Sequence, residues 1–246
     1  MIDFSVGSHR GRVREKNQDC YYVPPAGGYP IFAVADGMGG HAAGEVASSL
    51  SIQALKEKLD QNFDNSTRND LSRLDLFLKE TIWEANERIM KAQEGNPELD
   101  GMGTTFTIAV FLEKNLFIGH VGDSQVHLFK QEEHQQLTED HSLVMELFKT
   151  GEITEDEMQT HPQRHMLTRA LGTLDQVEVD TYFSEVQKND YVLLCTDGLT
   201  SMLPIETIQE LVLGPDSLDG KVEQLIHRAN ASGGLDNITV LLIQVK

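Results

Sequence analysis

Four aspartates in this chain stand beside apolar, strand-like segments. Ile31 to Ala35 runs into Asp36-Gly37-Met38-Gly39-Gly40-His41, Asn115 to Val121 into Gly122-Asp123-Ser124, and Tyr191 to Cys195 into Thr196-Asp197-Gly198. Gly233-Gly234-Leu235-Asp236-Asn237 precedes the last apolar run. A single Asp-Gly pair is ordinary turn chemistry, because Asp bonds nearby backbone and Gly accepts positive φ. Four such acids at strand ends suggest more. If they converge at one end of a sheet, they repel one another unless cations lie between them. Carboxylate oxygens without a Cys or His cluster suit hard ions such as Mg²⁺ or Mn²⁺. There is no Cys-x-x-Cys pair and no His-Glu-x-x-His run, so zinc has no support.

The elements that must position these acids are legible from hydrophobic spacing. Strand composition marks Ile31 to Ala35, Thr105 to Leu112, Asn115 to Val121, Gln125 to Phe129, Val177 to Phe183, Tyr191 to Cys195 and Ile238 to Val245. Helical spacing predicts Glu45 to Leu59, with Val46, Leu50, Ala54 and Leu59 near one face, and Asp75 to Ala92, with Leu78, Ile82, Ala85 and Ile89. Pro204 to Leu213 and Lys221 to Ala231 are two further helices, the first opened by a favourable proline. Polar stretches at Gln61 to Asp75 and Glu94 to Gly103 read as loops. Strands come in runs rather than alternating with helices, which predicts an α+β layering and not a doubly wound parallel sheet. Residues 142–161 form an acidic excursion with short helical patterns.

Composition bounds the function. The chain has 246 residues, a net charge of −19, 39% hydrophobic and 24% charged residues. This is a globular composition, and the length fits one large domain or two small ones; a single domain over residues 1–246 is expected. A chain so poor in Lys and Arg is not expected to grip nucleic acid, and an anionic membrane would repel it. Its start carries no apolar secretory run, and no apolar stretch approaches a membrane span, so a cytoplasmic location is expected. Two cysteines, Cys20 and Cys195, are too few for a disulfide scaffold and are expected to be buried near core strands.

Read together, the segments resemble the metal-dependent serine/threonine protein phosphatases of the 2C type in their bacterial form. The resemblance rests on Arg14-Glu15-Lys16-Asn17-Gln18-Asp19, Ala35 to His41, Gly103-Thr104-Thr105, His120 to Ser124, Asp140-His141-Ser142, Thr168 to Gly172, Cys195 to Thr200 and Gly233 to Thr239. They follow the family's order along nearly the whole chain. The family implies a central antiparallel β-sandwich flanked on both faces by helices, a metal centre at one end and a small flap, here about residues 142–165. It also implies two or three divalent ions, Mn²⁺ or Mg²⁺. Asp36 would bridge two of them, Gly37 would offer its carbonyl, Asp197 and Asp236 would complete the shell, and Asp123 with Asp197 would hold the third. Asp19 would orient metal-bound water, Arg14 would bind the phosphoryl group through its planar fork, and His41 would serve as general acid to the leaving oxygen. His120, His141, His161 and His165 are expected to be structural.

The implied reaction is direct attack of a metal-bridging water on phosphoserine or phosphothreonine in proteins, with no phosphoenzyme. Two alternatives fail on spacing. A cysteine phosphatase needs Arg six residues after its Cys, where this chain has Ala26 and Ser201. An aspartyl phosphatase needs a second Asp two residues from its nucleophile, and neither Asp36 nor Asp197 has one. Expected partners are phosphorylated proteins, targets of a serine/threonine kinase, and a monomer is expected. A silent scaffold relative would have lost metal aspartates, and all are present. Gln125 and His127 stand where relatives usually carry Arg and Tyr, and His9 where Asp is frequent. The overall acidity suggests basic residues beside the phosphosite.

Overall fold

The computed structural model describes residues 2–40, 43–63, 67, 70–131 and 133–246. His41, assigned the general-acid role above, lies outside the described residues.

Two antiparallel sheets stack face to face. The first has the order β1 (Ile2–His9), β11 (Ile238–Val245), β10 (Tyr191–Cys195), β7 (Gln125–Phe129), β8 (His134–Gln136). The second has the order β2 (Asp19–Tyr22), β3 (Ile31–Met38), β5 (Phe106–Leu112), β6 (Asn115–Val121), β9 (Asp180–Glu185), and the two-residue β4 (Gly103–Thr104) pairs with the end of β3. Helices α1 (Ala43–Asn62) and α2 (Leu71–Gln93) cover the second sheet; α6 (Ile205–Leu213) and α7 (Leu218–Ala231) cover the first, with the one-turn α5 (Asp197–Thr200) at the end of β10. Short helices α3 (Leu143–Lys149) and α4 (Glu155–Thr160) lie in the acidic segment. This is the expected α-β-β-α layering.

Period-two alternation makes the layers. In β3, Phe32 and Val34 face the opposite sheet, while Ile31, Ala33 and Ala35 face the helices. In β11, Leu241 and Ile243 pack between the sheets, and Val240 and Leu242 pack under α6 and α7. Such strands are buried on both faces, so they read as continuous apolar runs and a one-residue slip would exchange two complete cores. In α2 the buried set Leu74, Phe77, Leu78, Ile82, Ala85, Ile89 follows three-and-four spacing, and Asp70 caps the helix by accepting from the amides of Ser72 and Arg73. Truncation of Ile82 to Ala, at a fully buried position, is expected to cost about 2–5 kcal/mol in urea unfolding.

The structure departs from the sequence expectations in several places. β1, β2 and β8 are strands that composition does not mark, since most of their residues are polar or not fully buried. They form because β1 pairs along all of β11, β2 along β3 and β8 along β7. The strand expected from Val177 begins at Asp180. The loop expected over Gln61 to Asp75 yields its ends to α1 and to the first turn of α2. In α1 the deepest face is Ala47, Ser48, Ser51, Ala54 and Leu55, whereas Val46, Leu50 and Leu59 are only half-buried. Small residues let α1 approach the β2 strand end, where the Ser48 hydroxyl donates to the Gln18 carbonyl at 2.6 Å. Among the described residues, no helix is long and apolar enough to cross a membrane.

Candidate active site

Antiparallel pairing decides which strand ends meet. β10 and β3 end, and β11, β7 and β2 begin, at the same end of the sandwich, as the pairings Cys195 with Val240, Cys195 with Gln125, and Asp19 with Asp36 require. Asp36, Asp123, Asp197 and Asp236 consequently line one cavity of about 350 Å³, together with Gly37 and Arg14. Pairing thus aligns the strand ends within each sheet, and the stacking of the two sheets brings Asp36, on the second, to Asp197 and Asp236, on the first.

Asp36 is held through its backbone by the threonines beside it. The Asp36 amide donates to Thr105 Oγ1 at 2.9 Å, and the Asp36 carbonyl accepts from the Thr105 amide and the Thr104 hydroxyl, both at 2.9 Å. The Thr105 and Ser124 hydroxyls are 2.7 Å apart, which ties the Asp36 strand to the Gly122-Asp123-Ser124 turn. That turn is braced from behind. His141 Nδ1 accepts from the Gly122 amide at 3.0 Å, and its Nε2–H donates to Asp180 at 3.0 Å. His120 is fully buried between Thr107 and the Glu139 carbonyl, and burial pushes its pKa down to about 3, so it stays neutral. Both histidines position strands, as expected.

Asp19 sits directly opposite Asp36 across the β2–β3 pair and is almost fully buried. Its Oδ2 accepts from Thr239 at 2.6 Å and Thr196 at 3.0 Å, while its Oδ1 is buried with no hydrogen-bond partner. Burial raises its pKa to about 7 against the two hydroxyls, with further upward pressure from Asp197 and Asp236. Asp36 and Asp123 are also pushed well above the usual carboxylate range. Desolvation is the leading cause for each, followed by their acidic neighbours: Asp19, Asp197 and Asp123 for Asp36, and Asp197 and Asp140 for Asp123. Among the described residues, no three acidic, histidine or cysteine side chains are drawn into a closed ligand set. The acids instead face an open cavity from several sides.

Arg14 reaches the same cavity from the β1–β2 loop. Its Nη2 donates to Asp236 Oδ2 at 2.7 Å, and this pairing raises the guanidinium pKa. Gly37 fits because its neighbours leave no room for a side chain: a Cβ there would collide with the Gly44 and Gln18 carbonyls. Gln125, at a position of departure from the family, donates to Asp140 at 2.7 Å, and Gln136 donates to the other oxygen at 2.8 Å. His127 stacks on His134 and hydrogen-bonds both it and Gln125. Two amides thus hold Asp140 in place of a cation, and its pKa rises to about 6, chiefly through burial.

Arg164, which the sequence reading left unassigned, and His165, expected to be structural, also line the cavity, and His165 Nδ1 lies 3.6 Å from Asp197 Oδ2. Their only sequence signal is an Arg-His pair in an otherwise acidic segment. Thr105, Thr196, Thr239 and Asn237 were legible as members of motifs but carried no role. Both cysteines are free thiols. Cys195 is buried as expected, Cys20 is only half-buried, and desolvation raises both thiol pKa values, which leaves neither a ready thiolate nucleophile.

The protein phosphatase 2C family profile matches residues 6–239. The chain belongs to the protein phosphatase 2C family. This phosphatase is 41% identical over 236 residues to the serine/threonine phosphatase stp of Listeria monocytogenes, covering 96% of this chain and 92% of that protein. The solved serine/threonine phosphatase of S. agalactiae superposes with a TM-score of 0.93 at 35% identity, covering both chains completely. A solved catalytic domain of the serine/threonine protein phosphatase PstP, in complex with two manganese ions, superposes with a TM-score of 0.85 at 36% identity, covering 100% of this phosphatase and 99% of that chain.

Proposed function

We propose that this phosphatase hydrolyses phosphoserine and phosphothreonine in proteins, with divalent cations held by Asp36, the Gly37 carbonyl, Asp197, Asp236 and Asp123. The observation that carries the reading is the gathering of these acids around one cavity that Arg14 also lines, with Asp19, whose Oδ1 is buried and unpartnered, directly across the strand pair from Asp36. Asp36 and Asp123, desolvated and pushed up by the acids around them, call for a counter-charge, and hard oxygen donors select a hard divalent ion. The relative solved with two manganese ions supports Mn²⁺. Such ions, when bound, acidify a water and neutralise charge on the phosphoryl oxygens.

The chain's own residues supply the rest. The Arg14 guanidinium offers parallel N–H donors to two phosphoryl oxygens, exchanging its contact with Asp236 for the substrate. Asp19 is clamped by Thr196 and Thr239 through one oxygen, which leaves the other to accept from and orient a water. The two thiols take no part.

The test is a cation titration on p-nitrophenyl phosphate and on a phosphothreonine peptide. Chelator is expected to lower turnover at least about a hundredfold, by removing several kcal/mol of transition-state stabilisation. Mn²⁺ is expected to restore it and to raise the thermal midpoint with its concentration. Activity that survives chelation, or a midpoint indifferent to Mn²⁺, overturns the cation assignment.

A further inference from the structure

The chain is strongly acidic, yet four of its 20 Lys and Arg residues fall within residues 10–16: Arg10, Arg12, Arg14 and Lys16. All four are exposed. Arg14 is paired with Asp236; among the described residues Arg10, Arg12 and Lys16 enter no ion pair, and Glu15 is the one acid in the run.

This loop is rigidly mounted. The Asn237 side-chain amide donates to the carbonyls of both Arg10 (2.9 Å) and Lys16 (2.8 Å), and its Oδ1 accepts from the Gln18 amide at 2.7 Å. The Arg12 amide donates to the Gly234 carbonyl at 2.7 Å. One asparagine therefore closes the loop at both ends, and it directly follows Asp236 at the cavity. The backbone that carries the cations is preorganised next to the Asp236–Asn237 turn, with no loop-ordering cost to be met when a ligand arrives.

We propose that the Arg10–Lys16 loop is a docking surface for acidic side chains flanking the phosphorylated residue of the substrate, with Arg12 and Lys16 as its specificity-determining cations. The inference rests on the phosphatase reading and names its substrate class. The net charge of −19 argues for basic flanks, but it is spread over the surface. At physiological salt the Debye length is about 8 Å, so a peptide lying across the cavity mouth responds to the charges nearest it. Those on this side are Arg10, Arg12 and Lys16 against the single Glu15.

Three peptides with one phosphothreonine core and flanks of Asp and Glu, of Ala and Gln, or of Lys test the proposal. At low salt the acidic peptide is expected to show a KM about three- to tenfold below the neutral one, the effect of two or three exposed charge pairs. The lysine peptide should lie above both. The ratio should shrink towards one in 0.5 M salt and in the double variant Arg12→Gln, Lys16→Gln, while kcat and p-nitrophenyl phosphate turnover stay unchanged. Equal KM values, a lysine preference, or an acidic preference that survives in the double variant overturns the docking surface. If p-nitrophenyl phosphate and all three peptides go uncleaved with Mn²⁺ present, the phosphatase reading itself fails, and the docking proposal with it.

Discussion

Replacement of Asp36 by Asn should lower kcat on p-nitrophenyl phosphate by about 10³-fold or more, equivalent to ~4 kcal/mol of lost transition-state stabilisation. Four carboxylates act on Asp36, with Asp19, Asp197, Asp123 and Asp236 all pushing its pKa upward after desolvation. The same crowding predicts the opposite effect on stability. A carboxylate whose pKa is raised by folding adds stability below its ordinary range and withdraws it as pH climbs through the raised value. At neutral pH in chelator, Asp36 therefore burdens the fold, and the neutral amide of Asn relieves it. The thermal midpoint of Asp36→Asn in chelator is expected to sit a few degrees above that of the parent. Full turnover in this variant would remove Asp36 from the site. A lowered midpoint would show that its loss of activity came from damage to the fold.

The second large effect is predicted for Gly198, between Asp197 and Leu199 in the first turn of α5. A Cβ built there would run into the Asn237 backbone carbonyl. The Asp197 turn and the Asp236–Asn237 turn are packed backbone to backbone, and only a residue without a side chain permits that approach. Gly198→Ala must push the two turns apart. About 1–3 kcal/mol of stability is expected to be lost, as for other overpacked sites, together with at least about tenfold in kcat, because Asp197 and Asp236 separate by a fraction of an ångström. Urea unfolding and steady-state assays at saturating Mn²⁺ measure the two losses. Retention of both stability and rate would mean that the turns can part without consequence, and that Asp197 and Asp236 need not act together. The overpacking also bears on the basic loop, since Asn237 closes that loop through the Arg10 and Lys16 carbonyls. Gly198→Ala is accordingly expected to weaken the discrimination between acidic and neutral peptide flanks as well.

The way the site is mounted explains its tolerance and its fragility. Three of the acids stand on backbone or side-chain supports that hydrogen bonds fix. Thr196 and Thr239 serve one carboxylate, Thr104 and Thr105 serve the backbone of another, and His141 braces the turn that carries a third. Loss of such a support displaces an acid without removing it.

Sequence alone determined the central strands, the four helices that cover the sheets, and the four acids that the fold brings to one cavity. Apolar runs such as Ile31 to Ala35 and Tyr191 to Cys195 can only be buried, and an Asp-Gly at the end of a buried strand announces itself because the polarity changes within one residue. The α+β layering followed from the order of those runs. The edge strands β1 and β2 were not legible, because a half-buried edge carries no hydrophobic pattern and exists through its hydrogen bonds to a neighbour. The deep face of α1 was misread for a related reason: Ala47, Ser48 and Ser51 are buried by the close approach of a strand, which small side chains allow and hydropathy does not reveal. Tertiary structure alone decided which acids share a cavity, since antiparallel register and the stacking of the two sheets set which strand ends coincide. It alone placed Arg164 and His165 at the cavity and gave Asp19 one clamped and one unpartnered oxygen. It also turned a charge of −19, read along the chain as a uniform property, into a local arrangement. Composition sums charge over the whole surface, whereas screening lets a ligand feel only what the fold has set within a few ångströms of it.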